Sequence, residues 1–206
     1  MVRDSCRGVD GILEVVSVTD GEAEIVIWNA DGSKAEMSGN GTRIAARWLA
    51  DRTGRDVVRV RVGDRVVEAR IRPDGDIEQD LGPFEVGPSE IVDGIEFVPV
   101  SVGNPHAVVL GDPETIGRIG PLLETHARFP ERTNVQVARL DARGSVTARV
   151  WERGVGETQS SGTSAVAVAA ATHGEGTVVV HFPGGELTVR LARGRATLIG
   201  PVERLS

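Results

Sequence analysis

A chain of 206 residues, 40% of them hydrophobic and 26% charged, suits one large domain or two compact halves and excludes a disordered polypeptide. Twenty-three basic against thirty acidic residues leave a net charge of −7, without the basic footprint that non-specific nucleic-acid binding requires. The single cysteine, Cys6, excludes an internal disulfide and a multi-cysteine metal site. The longest apolar run, Ala165 to Ala171, is far short of a membrane span, and the start Met1-Val2-Arg3-Asp4 carries no secretory pattern. A soluble cytoplasmic protein without membrane or nucleic-acid partners is the expectation.

In chain order, Ile12 to Val18 and Glu24 to Trp28 flank the turn pair Asp20-Gly21 and predict a hairpin. Thr42 to Ala50 follows a glycine-rich loop and predicts the first helix. Val57 to Val62 and Arg65 to Ile71 predict a second hairpin turning at Gly63-Asp64, its arginines lying on a solvated face. Leu81 to Asp93, with Pro83 and Pro88, predicts a connection between halves. Ile95 to Val102 predicts a strand, and Pro113 to Phe129 a helix with proline in its first turn. Further strands are expected at Asn134 to Leu140, Ser145 to Trp151, Val178 to Phe182, Glu186 to Leu191 and Arg195 to Ile199. Between them, Thr163 to Thr172 is alanine-rich and predicts the third helix. Many strands and few helices point to an α+β protein, not a doubly wound sheet.

The halves echo each other. Met37-Ser38-Gly39-Asn40-Gly41 leads into one helix and Ser160-Ser161-Gly162-Thr163-Ser164 into another, each after a glutamate, Glu36 or Glu157. This pattern predicts a duplicated unit. A Ser-Gly turn entering a helix presents free backbone N–H groups and the positive end of the dipole, which suits a carboxylate or phosphate. Neither loop has the G-x-x-x-x-G-K-[ST] or G-x-G-x-x-G spacing of nucleotide sites, so an anionic small molecule is favoured. Polar residues interrupt the strands nearby: Asn29, Asn104, His106, Asn134, Glu152 and Arg153. Asparagine carries both donor and acceptor groups, and arginine offers a planar fork for a carboxylate. His126, His173 and His181 have no metal-ligand spacing, so no metal is expected.

Four segments together resemble the diaminopimelate epimerase family. They are Asn29-Ala-Asp-Gly-Ser-Lys-Ala-Glu-Met-Ser-Gly-Asn-Gly41, Ser101-Val-Gly-Asn-Pro-His106, Arg132-Thr-Asn-Val135 and Trp151-Glu-Arg-Gly-Val-Gly-Glu-Thr-Gln-Ser-Ser-Gly-Thr163. The resemblance implies two similar domains, each a curved mixed sheet around a central helix, with an active site in the cleft between them. The expected domains are 1–90, completed by 196–206, and 91–195. It also implies cofactor-independent interconversion of L,L- and meso-diaminopimelate, without pyridoxal phosphate, in lysine and peptidoglycan biosynthesis. A homodimer is expected by resemblance alone.

Inverting an α-carbon requires a base on one face and an acid on the other, while the developing carbanion is stabilised electrostatically. In the family the two opposing groups are cysteines; here both positions are serine, Ser38 and Ser161. A serine hydroxyl is a poor base unless an adjacent base activates it. Two expectations follow: turnover through hydroxyls assisted by His106 or Glu152, or binding of an amino acid without turnover. The family's opening Gly-Asn segment has no counterpart, and the stretch Arg7-Gly8-Val9-Asp10-Gly11 is shortened, so one substrate contact is expected to be missing. Carried over residue by residue, the resemblance assigns Ser38 and Ser161 the acid and base positions and His106 a supporting one. Gly39, Asn40, Gly162 and Thr163 would frame a carboxylate; Asn29, Asn104, Asn134, Glu152 and Arg153 would read the remaining groups.

Overall fold

The computed structural model of the chain describes residues 11–29, 32–141 and 143–203. Cys6 and the stretch from Arg7 to Asp10 lie outside them. The chain divides into two compact units, the first running to Leu81 and resuming at Thr197, the second being Gly82–Ala196. The expected boundary lay nine residues later in the chain, at 90/91, with the return at 196.

The first unit begins with strands β1 (Gly11–Thr19) and β2 (Glu22–Asn29), an antiparallel hairpin, and a short β3 (Lys34–Ala35) beside β2. Helix α1 (Gly39–Thr53) then crosses to β4 (Val57–Val62), which lies parallel to β2. β5 (Arg65–Ile71) and β6 (Ile77–Pro83) follow by antiparallel turns. β4 and β5 form the hairpin the sequence predicts. Alternation along these strands turns Ala23, Ile25, Ile27, Val58, Val60 and Val62 inward against Ala45, Ala46, Leu49 and Ala50 of α1. The arginines between them face outward, Arg61 onto Glu22 at 2.8 Å and Arg59 onto Glu68 at 3.6 Å.

The second unit opens with β7 (Glu85–Val86), β8 (Glu90–Val92), β9 (Ile95–Ser101) and β10 (Pro105–Leu110). The segment expected as a plain connection, Leu81 to Asp93, therefore contributes short strands: β7 and β8 both pair with β9. A 3-10 turn at Pro113–Thr115 leads into α2 (Ile116–Glu124), and β11 (Asn134–Leu140) returns parallel to β10. α2 stops at Glu124 instead of reaching Phe129. Turns take over, Phe129 N–H bonding to His126 O and Arg132 N–H to Phe129 O, and Pro130 disfavours helical backbone before it.

β12 (Val146–Glu152) pairs antiparallel with β11, and short β13 (Gly156–Thr158) pairs with β12. Helix α3 (Gly162–His173) crosses to β14 (Gly176–Phe182), parallel to β12, which turns into β15 (Gly185–Ala192). The last strand, β16 (Arg195–Gly200), passes into the first unit at Thr197 and there borders β6.

The duplication predicted from two loops extends through the topology. β1, β2, β3, α1, β4 and β5 have the same order and pairing senses as β11, β12, β13, α3, β14 and β15. In each, a hairpin strand and a short strand deliver the chain to the head of a helix that crosses to a parallel neighbour. α1 starts at Gly39, three residues before the expected Thr42, and α3 at Gly162, one before the expected Thr163, because in each the preceding serine is the N-cap. No helix among the described residues is long and apolar enough to cross a membrane.

Candidate active site

Ser38 and Ser161 occupy the N-caps of α1 and α3 with nearly the same backbone, φ −142° and ψ 118° against φ −144° and ψ 127°. A cap residue of this geometry leaves the first-turn amides without carbonyl partners inside the helix, at the positive end of its dipole. Gly39 and Asn40 form that turn in the first unit, Gly162 and Thr163 in the second.

At the head of α1 the Ser38 hydroxyl accepts from Gly41 N–H at 3.0 Å, and Thr42 closes the turn by donating its N–H to Ser38 O at 2.9 Å. Space at 41 is tight: a Cβ there would lie 3.1 Å from Leu13 Cδ2 and 3.2 Å from Ile27 Cδ1, so these side chains would have to shift. Beneath the turn, Gln79 of β6 is fully buried 2.8 Å from the Thr42 hydroxyl. With its amide turned to match its neighbours, it also donates to Gly39 O and accepts from Arg43 N–H, both at 3.0 Å. Arg43 is buried as well, donating through Nη2 to Asn40 Oδ1 and through Nε to Pro201 O, each at 3.0 Å, while its Nη1 has no partner. Burial lowers this guanidinium to about 10, opposed by the charge of Asp76, so it stays a cation at neutral pH.

The head of α3 is built differently. Ser161 makes no side-chain capping bond and is only 5% exposed. A buried polar chain runs below it: Asn104 Nδ2 reaches the Thr163 hydroxyl at 3.5 Å, and Asn104 Oδ1 lies 2.9 Å from His106 Nε2. Gln136 Nε2 contacts His106 Nδ1 at 3.0 Å and the Ser164 hydroxyl at 2.9 Å. Asn104 Oδ1 can only accept, so the His106 proton resides on Nε2 and Nδ1 accepts from Gln136. Burial drives the imidazole down to about 3; the Gln136 bond opposes this and the charge of Arg153 adds to it. His106 is thus neutral, with both nitrogens occupied. It supports the helix head and offers no base to either serine.

Glu152 and Arg153 lie where β12 turns into β13. Glu152 Oε1 accepts from the Thr158 hydroxyl at 2.6 Å, and Arg153 Nη1 donates to Glu131 O at 3.3 Å. Asn134 ties the turn down: its Oδ1 accepts from Arg153 N–H and its Nδ2 donates to Pro105 O, both at 3.0 Å. Asn29 closes its own loop instead, bonding Ser33 through backbone and side chain at 2.9 and 3.0 Å. The second unit therefore joins Asn104, His106 and Thr163 in one network and Asn134 with Arg153 in another, whereas Asn29 bonds Ser33 within its own loop. Among the described residues, no cluster of three His, Cys, Asp or Glu residues suits a metal ion.

Three buried residues escaped sequence reasoning: Gln79 and Gln136 of these networks, and Glu124, which accepts from Gly154 N–H at 2.8 Å. Gln79 occupies an inward position between Ile77 and Leu81, and Gln136 lies in a strand buried on both faces, so an amide within an apolar run was the available signal. Glu124, in Pro-Leu-Leu-Glu, carried none.

Solved structures share this architecture. A predicted epimerase from Pseudomonas aeruginosa superposes with TM-score 0.76 over 100% of this chain and 86% of its own, at 18% identity. A hydroxyproline epimerase from Agrobacterium vitis, with bound trans-4-hydroxy-L-proline, gives 0.68 over 93% and 71%, at 17% identity. At these identities the likeness shows a shared fold, with a capped helix head in each of two matching units. The chain belongs to the diaminopimelate epimerase family, a family of amino-acid epimerases, whose model matches residues 3–86 and 98–204. The diaminopimelate epimerase of Azotobacter vinelandii is 39% identical over 88% of this chain and 75% of its own length.

Proposed function

We propose that this protein interconverts L,L- and meso-diaminopimelate by moving a proton at one α-carbon, with Ser38 and Ser161 as the two proton-carrying groups. The observation that carries the reading is the pair of helix heads: after a short strand, each unit places a serine of nearly the same backbone conformation at the positive end of its helix. One serine, as its alkoxide, takes the α-proton and becomes a hydroxyl, the electron pair spreads into the carboxylate, and the other serine's hydroxyl gives a proton to the opposite face and is left as the alkoxide. First-turn amides offset the charge that develops on the carboxylate. Asn104, Asn134, Glu152 and Arg153 would read the amino and distal groups of the substrate.

The test is proton NMR of L,L-diaminopimelate with the protein in deuterated water. The α-proton signal is expected to fade as the meso isomer grows, and Ser38→Ala or Ser161→Ala to stop it. Replacing both serines by cysteine installs thiols that ionise near about 8.5, lower still at a helix head, and should raise the exchange rate about a hundredfold or more. Exchange that survives both alanine substitutions would remove the serines from the mechanism.

A second reading, binding without turnover, is favoured by one observation: both candidate bases that the sequence offers are engaged elsewhere. His106 is neutral with both nitrogens engaged, and Glu152 Oε1 is taken by Thr158. Saturable diaminopimelate binding with no α-proton exchange, in a folded protein, would select it.

A further inference from the structure

The carboxylate of Glu124 has no place in the chemistry above, yet its position is costly. It is the last residue of α2, where the negative end of the dipole disfavours an anion, and its side chain is only 9% exposed. What it gains there are donors from both site-bearing segments. Oε2 accepts from Trp151 Nε1 at 2.7 Å, and Oε1 accepts from Gly154 N–H at 2.8 Å and faces Arg132 Nη1 at 3.5 Å. Its own carbonyl accepts from Thr133 N–H at 3.3 Å. The Gly154 bond is the informative one. Arg153 and Gly154 form the turn after β12, Gly154 in the left-handed region at φ 75°, and their successive amides end on Asn134 Oδ1 and Glu124 Oε1.

We infer that Glu124 is a positioning residue: its carboxylate fixes the turn that carries Glu152 and Arg153 and so sets the pair that recognises the diamino-acid substrate. This inference rests on the function proposed above for its substrate. A carboxylate is required because two N–H groups arrive from different directions and each needs its own oxygen. A carboxamide of the same shape has one oxygen and would turn an N–H toward the other donor. Glu124 touches neither reacting atoms nor, in this account, the substrate; it acts through the turn.

The experiment compares wild type with Glu124→Gln, Trp151→Phe and the double variant, reading Gly154 amide exchange by NMR and diaminopimelate affinity by calorimetry. Glu124→Gln is expected to expose the Gly154 amide to exchange and to weaken binding about tenfold to a hundredfold, the scale of a lost bond to a charged acceptor. Trp151→Phe keeps the Gly154 bond and should leave both readouts near wild type. In the double variant the single Gln oxygen no longer has to serve Trp151 and can take the place of Oε1 before Gly154 N–H and Arg132, so Gly154 protection and affinity should return toward wild type. A helix-end carboxylate of purely structural importance would give no such rescue. Unchanged Gly154 exchange in Glu124→Gln, absence of rescue, or a Trp151→Phe defect as large as that of Glu124→Gln would each overturn the inference. Should Glu124→Gln not fold, the Trp151→Phe result decides. Should wild type not bind diaminopimelate, the proposed function falls, and Gly154 exchange alone still judges the role of Glu124.

Discussion

The heads of α1 and α3 are the same backbone device in two chemical settings. Both follow a short strand, both are capped by a serine, and each has a fully buried glutamine from the sheet beneath its first turn. Around α1 the side chains are mixed: Arg43 is buried near the head, while Ile44 is 48% and Trp48 39% exposed on one face. α3 has no such face, every residue from Gly162 to Ala170 being buried. Duplication has preserved where the N–H groups go and left open what surrounds them. The lesson is that the two serines, interchangeable in sequence, are unlike in structure.

The largest expected effect separates the helices as packing elements. Val168→Glu places a carboxylate on α3 where the side chain is fully buried and should cost about 4 kcal/mol or more, enough to prevent folding of the second unit. Ile44→Glu, on the exposed face of α1, should change stability by no more than about 0.5 kcal/mol. Urea denaturation followed by circular dichroism checks both. A comparable cost at the two positions would mean that the exposed face of α1 is covered in solution and that the contrast between the helices is false.

A smaller effect separates them by pH. The second unit buries a neutral imidazole, His106, whose folded value of about 3 lies below its ordinary 6.5. Between these values the unfolded chain binds a proton that the folded chain does not. The stability contributed by keeping this group neutral is therefore complete above pH 6.5 and is lost as pH falls toward 3. The buried titratable group of the α1 head, Arg43, is charged throughout that range. His106→Gln should lower stability at pH 7 yet flatten the acid slope of the melting temperature. An unchanged slope would locate the acid sensitivity elsewhere.

Much of this contrast was legible beforehand, and the part that was not has a physical pattern. Period-two alternation and the turn pairs marked the hairpins β1–β2 and β4–β5, and the Ser-Gly motifs marked both helix heads. β7 and β8 were hidden because two- or three-residue strands leave no periodicity to read. α2 ends short of the expected Phe129 because successive turns from His126 to Arg132 replace its last residues, and Pro130 was the one local signal against helix there. At the site, residue types showed which side chains were present but not their partners. Asn134, expected from its residue type to read a ligand, also holds Arg153 N–H and Pro105 O. His106 lost its candidacy as a base through burial and through Gln136, thirty positions away. Such pairings depend on strand register, which sequence spacing alone does not specify.

The smallest expected effect bears most directly on the two hydroxyls. Ser38 Oγ accepts from Gly41 N–H, so Ser38→Ala should cost about 1 kcal/mol of stability, the usual value of a lost helix cap. Ser161 makes no capping bond, and Ser161→Ala should stay within about 0.5 kcal/mol of wild type. Matched denaturation curves resolve the difference; equal costs would show that Ser161 caps its helix in solution and would erase the asymmetry. If the difference holds, it assigns a direction to proton transfer. An oxygen already receiving an N–H is better able to bear negative charge, so the Ser38 hydroxyl gives up its proton more readily. Ser161, its lone pairs uncommitted to the helix, is the better acceptor. Exchange catalysed from one substrate stereoisomer should then lose more rate to Ser161→Ala, and from the other to Ser38→Ala.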